Sequence, residues 1–336
     1  MAEPEPATVA GHGLELAEGR PPLLALAGQR DPAEGERWVA EHRDRIIEAW
    51  SGYGALLLRG IGLAEPAGLE RIAAALGVAI TTEREPFAER ADLGGGVYSS
   101  VTWSPDQPMC MHHENSYALE VPQRLLIGCL VPPVQGGVTG LADGHRVLSE
   151  LPTGLVDRFA AEGWLFTRNY SELVGTSWQE AFGTDDREIV EKYCRANRIE
   201  LEWLADGSLR TTQHRPAVIA HPRTGRRCWF NQIAFFNQWT LDQDVREYLT
   251  FEFGADGLPF DTRHADGSPI EQDVIDTING VYEQVTMREP WQAGDLLLVD
   301  NIRMAHSREP YSGRRSMAMV FGDPATVTGV QAGPDE

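Results

Sequence analysis

Lysine is almost absent from this 336-residue chain. Lys192 is the single one, so arginine supplies nearly all of the 29 basic residues. Set against 50 acidic residues, they leave a formal net charge of −21. No Lys/Arg stripe interrupts that acidity, and phosphate backbones are repelled, so nucleic acid is excluded as a partner. Cysteine is scarce too. Cys110, Cys129, Cys194 and Cys228 form no CxxC pair and match no zinc-ligand spacing. They read as free thiols in a reducing cytoplasm, with Cys110 set apart because it lies two residues before His112. No apolar run approaches the ~20 residues of a membrane span, so no membrane partner is expected. The first twenty residues are acidic and rich in Pro, Ala and Gly, with no basic or apolar signal-peptide region. A disordered or extended lead-in over residues 1–30 is expected, followed by one domain over residues 31–330.

What is present suits a soluble globular protein: 42% hydrophobic and 24% charged residues, enough for a sizeable core. Trp38, Val39, His42, Ile46, Ile47 and Trp50 recur at helical spacing across residues 31–53. Residues 55–58 read as a buried strand and 67–76 as a second helix, stopped by Gly77. Residues 85–97 are charged and then Gly-rich, as in a loop or lid. The run 124–131 (RLLIGCLV) is a strand closed by Pro132-Pro133. Two hairpins are expected, 200–204 with 209–212 and 217–220 with 228–231. Helices are expected near 186–196 and 271–285, and strands at 296–299 and 316–321. Short strands at hairpin spacing, with helices outside them, predict a mainly β sandwich or barrel with helical insertions.

The chemistry centres on residues 111–117, "MHHENSY". In an extended segment, residues i and i+2 share a face, so His112 and Glu114 point together and His113 points away. H-x-E alone is a weak signal. His264-Ala265-Asp266 has a similar form, but it is set among turn residues and is expected to be a solvated decoy. His221, in a His-Pro pair, is expected to be a turn residue. The company of His112 and Glu114 strengthens them. His306, after a buried-looking strand, can supply a third ligand. Two histidines and a carboxylate leave open positions on octahedral Fe(II) for a chelating 2-oxo acid and O2. Arg315, nine residues later, suits the distal carboxylate of that acid, with Arg314 as its competitor and Thr139 as a further donor. Ser100, Thr102, Tyr117 and Asn231 are candidates for the substrate pocket.

The stretches "MHHENSYALEVPQ", "PPVQGGVTGLADG", "HPRTGRRCWFNQ" and "WQAGDLLLVDNIRMAHSREPYSGRRS" occur in this order between residues 98 and 321. As a set they resemble the Fe(II)/2-oxoglutarate-dependent TauD/TfdA superfamily, which includes taurine dioxygenase and clavaminate synthase. They come nearest to members from specialised-metabolite and nonribosomal-peptide pathways. The resemblance implies a double-stranded β-helix (jelly-roll) core of clavaminate synthase-like type. It implies metal ligation by His112, Glu114 and His306, and 2-oxoglutarate binding by Arg315 and Thr139. The implied cofactors are Fe(II), 2-oxoglutarate as co-substrate and O2. The implied reaction is oxidation of an unactivated C–H bond in an amino acid or an amino-acid-derived small molecule, free or presented on a carrier protein. Hydroxylation is the first expectation, and desaturation, epoxidation and cyclisation share the same chemistry. Retention of Glu114 argues against halogenation. Several relatives carry another arginine four residues after the 2-oxoglutarate arginine. Met319 stands there in this chain, which argues against a taurine-like substrate. The rivals are a non-catalytic metal- or metabolite-binding jelly roll and a hydrolytic zinc site on the same ligands.

Overall fold

The computed structural model describes residues 8–9, 12–28, 30–82, 86–171, 175–327 and 329. Its centre is a six-stranded sheet. In chain order the strands are β1 (Leu23–Ala25), β2 (Ala55–Arg59), β3 (Val97–Ser99), β5 (Glu120–Val131), β11 (Leu296–Asp300) and β13 (Ser316–Thr326). Strands β4 (Met109–His112), β6 (Leu141–Asp143) and β12 (Met304–Arg308) form a three-stranded sheet. Strands β7 (Trp164–Tyr170), β8 (Ile199–Trp203), β9 (Leu209–Arg215) and β10 (Phe260–His264) form an inserted four-stranded sheet. The spatial order of the large sheet is β1-β2-β11-β5-β13-β3, and that of the small one is β4-β12-β6.

Period-two alternation sorts the large sheet into two faces. Leu56, Leu58, Leu126, Leu296, Leu298, Ala318 and Val320 face outward and are buried under three helices. These are α1 (Pro32–Glu41), α2 (Arg43–Tyr53) and α3 (Pro66–Leu76). Their neighbours Ala55, Leu57, Leu125, Ile127, Val299, Met317 and Met319 face inward, with Leu141 and Met304 of the small sheet in the same cluster. A sheet covered on both faces explains why β5 and β11 read as continuous apolar runs rather than alternating ones. The helical pattern of 31–53 is two helices, not one. His42 leaves helical geometry at φ −109°, ψ 13°, ending α1 and opening α2. Strand β1 falls within the stretch read as a lead-in. It pairs in parallel with β2, and Leu23 and Leu24 are buried.

Both hairpins form, as Ile199–Trp203 with Leu209–Arg215 and Val218–Ala220 with Arg227–Trp229. One histidine expectation is corrected. His264 is not in a solvated turn: it ends β10, is 2% exposed and stacks on Phe159 with ring centroids 5.2 Å apart. His221 does stand in a turn: its carbonyl accepts from Gly225 N at 2.9 Å and its Nδ1 from Arg223 N at 3.2 Å. It is buried, and its Nε2 lies 2.9 Å from Asp300 Oδ2. His264 lies among Thr, Arg, Asp and Gly in sequence, but Phe159 supplies apolar cover from elsewhere in the chain.

The Asp300–His221 pair gives an acid-range prediction. Burial pushes the Asp300 carboxyl up, but the hydrogen bond and charge of His221, with Arg223, outweigh it and hold it below its ordinary value. A depressed carboxylate stabilises the fold above its unfolded pKa of about 4 and loses that contribution as pH falls through the lower folded value. Asp300→Asn should therefore cost about 1–3 kcal/mol at pH 7 and flatten the loss of stability below about pH 4. Urea melts at pH 7 and pH 3 measure both.

Candidate active site

The two histidines meet because of strand pairing. β4 and β12 are antiparallel neighbours, and His112 and His306 are direct partners in their register. Directly opposed residues carry Cβ atoms ~4.5–5.5 Å apart, close enough to share one ion. Their ring centroids lie 4.3 Å apart. Glu114 follows β4 by two residues, where the chain turns through Asn115 at φ 56°. That turn brings Glu114 Oε1 to 3.4 Å from His306 Nε2 and 3.8 Å from His112 Nε2. One ligand atom from each of the three lies within 4.8 Å of the others, and all three residues are buried.

Hydrogen bonding orients the set. His112 Nδ1 lies 2.9 Å from the Cys110 carbonyl, so that nitrogen carries the proton and Nε2 presents its lone pair. The expectation that His113 points away matches its placement. Its Nδ1 faces the Asn301 carbonyl at 2.6 Å and its Nε2 faces the Trp229 carbonyl at 2.9 Å. Burial pushes His113 down to about 3 against the pull of those carbonyls, so a neutral ring donates to one of them. Burial and the neighbouring His112 push His306 down to about 4. Burial pushes Glu114 up, but the Arg90 charge and the two histidines outweigh it and hold the carboxyl well below its usual range. At neutral pH the site therefore offers a carboxylate and an unprotonated His306, the forms that bind a metal.

The residues fit a metal by their own chemistry. Glu114 Oε2 and His306 Nδ1 are buried with no hydrogen-bond partner among the described residues. Unsatisfied buried polar atoms are rare and call for an ion, water or ligand. The donors, two imidazoles and one carboxylate, are those of an open Fe(II) site.

A cavity opens on the triad. Arg315 and Thr139 line it together with His112, Glu114 and His306. Arg314 is exposed on the surface, so of the two arginines only Arg315 reaches the cavity. The glycines of "QGGVTG" make this approach. Gly136 and Gly137 both have φ 66°, where side chains strain the backbone. A Cβ on Gly136 would meet Pro310 O at 2.2 Å, and one on Gly137 would meet Pro133 Cγ at 2.8 Å. Thr139 Oγ1 accepts from Trp291 Nε1 at 3.2 Å, which leaves its own O–H to donate. Burial and the nearby Arg308 push the Arg315 guanidinium down to about 10, and its Nε is buried without a partner among the described residues.

Of the pocket candidates, Ser100 lines this cavity. The structure does not bring the other three there. Thr102 is exposed. Tyr117 is buried in the core against Phe166, with centroids 5.3 Å apart. The Asn231 amide bonds the Ala217 carbonyl and the Ile233 N–H, a structural duty. Two contributors were not singled out in the sequence. Arg90, 3% exposed at its side chain, donates to Glu114 Oε1 at 2.9 Å. Asn301 clamps the turn, accepting from Glu114 N at 2.8 Å and donating to Glu114 O at 3.0 Å and Pro122 O at 2.8 Å. Its place within "VDNIRMAHS", just before β12, was the available signal. Asn301→Ala should destabilise the fold by about 2–4 kcal/mol and weaken metal binding 10–100-fold, roughly the effect of losing an orienting partner. Calorimetric metal titration of folded variant protein would measure the second effect directly.

No helix among the described residues is long and apolar enough to cross a membrane. The four cysteines are free. The chain matches the taurine catabolism dioxygenase TauD, TfdA family over residues 20–320. It is 33% identical over 309 residues to the dapdiamide synthesis protein DdaC of Enterobacter agglomerans, covering 92% of this chain and 93% of that one. It is 28% identical to a clavaminate synthase-like protein of Arabidopsis thaliana, over 78% of this chain and 79% of that one. PvcB of Pseudomonas aeruginosa, described as an Fe, alpha-ketoglutarate dependent oxygenase from an isonitrile synthetic pathway, has a similar fold. The TM-score is 0.52 at 16% identity, over 94% of this chain and 89% of PvcB. With the jelly-roll sheets, the buried His-Glu-His cluster and a match spanning nearly the whole chain, the protein belongs to the TauD/TfdA family of Fe(II)/2-oxoglutarate-dependent oxygenases.

Proposed function

We propose that the enzyme hydroxylates an unactivated C–H bond of an amino acid or amino-acid-derived small molecule in specialised-metabolite biosynthesis. One observation carries the reading: His112, Glu114 and His306 converge at a cavity that Arg315 and Thr139 also line. Support for the pathway class comes from the relatives, since DdaC is named for dapdiamide synthesis and PvcB for an isonitrile pathway.

In this reading His112, Glu114 and His306 hold Fe(II), while Arg315 and Thr139 hold the far carboxylate of 2-oxoglutarate. Bound there, the metal with 2-oxoglutarate and O2 supplies the oxidising power for C–H cleavage. The chain supplies position and shelter. Cys110 fixes the His112 tautomer through its carbonyl, and Asn301 fixes the Glu114 backbone. Arg315 neutralises the co-substrate's distal charge in a site where burial strengthens the attraction. Val101, Met109, Ile127, Met317 and Met319 give the cavity an apolar wall that limits water near the reacting carbon.

Anaerobic titration with Fe(II) and 2-oxoglutarate should produce a visible charge-transfer band, and admitting O2 should yield succinate. Absence of both would sink the reading in favour of a zinc hydrolase or a non-catalytic binder. A screen of amino-acid substrates for a gain of one oxygen atom in mass then tests the hydroxylation itself.

A further inference from the structure

We propose that Tyr311 is the positioning residue of the 2-oxoglutarate clamp, its ring holding the Arg315 guanidinium in place at the cavity. The inference rests on the oxygenase reading above and deepens the co-substrate half of that site.

Arg315 lacks the usual means of holding a guanidinium still. Among the described residues it makes no side-chain hydrogen bond or ion pair, and its Nε is buried without a partner. What it has is an aromatic face: its Cζ lies 5.5 Å from the centroid of the Tyr311 ring. A cation within about 6 Å of a ring centroid is attracted by the ring quadrupole, and that attraction uses none of the N–H donors. The fork is thereby aimed while its donors stay available for a carboxylate. Arg315 lines the cavity and Tyr311 does not, so the ring backs the clamp without competing for the co-substrate.

The ring is itself held on several sides. Tyr311 lies in the connection between β12 and β13, where Tyr311 and Ser312 pair with Gly136 and Gln135. Its N–H donates to the Pro105 carbonyl at 2.8 Å. Gly137 is the floor on which the stem of the ring and the clamp meet. A Cβ added there would stand 3.0 Å from Tyr311 Cβ and 3.4 Å from Arg315 Cδ. The glycines of "QGGVTG" thus let the aromatic and the arginine approach together, two residues before Thr139. A second cation shares the ring: Arg308 Cζ lies 5.1 Å from the same centroid. The terminal nitrogens of Arg308 donate to the carbonyls of Trp103, Ser104 and Gln107, which fixes its own position. Support therefore runs from the loop at 103–107 through Arg308 and Tyr311 to Arg315.

The test compares two co-substrates on the whole enzyme loaded anaerobically with Fe(II). 2-Oxoglutarate and 2-oxobutyrate both offer a 2-oxo acid to the metal, and only 2-oxoglutarate has a distal carboxylate for Arg315. The visible band reports the binding of each. Tyr311→Leu should weaken 2-oxoglutarate about 3- to 30-fold and leave 2-oxobutyrate within about twofold, so the preference between them falls. Tyr311→Phe retains the ring and should retain the preference. Pentafluorophenylalanine at position 311 keeps the shape and reverses the charge distribution of the ring, so it should lose the preference as leucine does. That substitution decides the matter if leucine unfolds the segment. In an Arg315→Met background, Tyr311→Leu should change 2-oxoglutarate binding by less than about twofold. A merely structural tyrosine would weaken both acids alike. The proposal is overturned if leucine or pentafluorophenylalanine keeps the wild-type preference, if both acids weaken equally, or if the loss persists without Arg315. A wild type that forms the band but prefers neither acid would refute the Arg315 clamp and the proposal with it. A wild type that forms no band with either acid would instead refute the oxygenase reading itself.

Discussion

His112→Ala should abolish the Fe(II)–2-oxoglutarate band, while its neighbour His113→Ala should leave the band and weaken the fold. The two side chains are adjacent in sequence and differ in what they face. His112 Nε2 points at Glu114 and His306, across a cavity. Its loss should lower metal affinity by at least about 100-fold, because losing only an orienting partner of a ligand costs 10–100-fold. Turnover should fall with it. His113 is fully buried between the carbonyls of Asn301 and Trp229 and packs on Phe230, with centroids 4.8 Å apart. Alanine there leaves a cavity and unpaired carbonyls, a loss of about 2–4 kcal/mol. Urea denaturation measures the second effect and anaerobic absorbance the first. Equal loss of metal in both variants would refute the assignment of ligand and support.

Arg315→Met should weaken 2-oxoglutarate binding by about 2–5 kcal/mol, the cost of truncating one partner of a buried charged pair. Arg314→Met, one residue away and exposed, should change it little. The unloaded protein should respond in the opposite sense. Burial and Arg308 already hold the Arg315 guanidinium down to about 10, so its charge is strained when no anion is near. A methionine of similar length removes a desolvated charge, and the ligand-free melting temperature should stay level or rise. What should vanish is the extra stabilisation that saturating 2-oxoglutarate gives to wild type. Thermal melts of both variants, with and without co-substrate in the presence of metal, separate these effects. A wild-type-like ligand shift in Arg315→Met, or its loss in Arg314→Met, would reverse the assignment.

Much of this was legible along the chain because the signals were local. Strand alternation separated His112 from His113 within three residues. Apolar runs marked β5 and β11. Local signals failed where cover came from afar. His264 sits among Thr, Arg, Asp and Gly and reads as a solvated turn, yet Phe159, over 70 residues away in sequence, stacks on it and buries it. Tyr117 stands close to the triad in sequence, but its side chain packs against Phe166 and Phe236, away from the cavity. Arg90 was hidden for the converse reason. It lies in a charged stretch that reads as a solvated loop, yet its side chain turns inward onto Phe321 and Glu114.

The sequence by itself determined the candidate donor set, because the donor types and their order along the chain are covalent facts: histidine, carboxylate, then a distant histidine and arginine; the resemblance of its ordered motifs pointed to the reaction class. The tertiary structure decided which residues share the cavity. The His112–His306 register across β4 and β12 closes the metal set, and the half-buried placement of Arg315 separates it from exposed Arg314. It also brought Arg90 onto Glu114 from a separate segment. Those choices depend on pairings between residues far apart in the chain, and such pairings are fixed only when the two sheets close over one core.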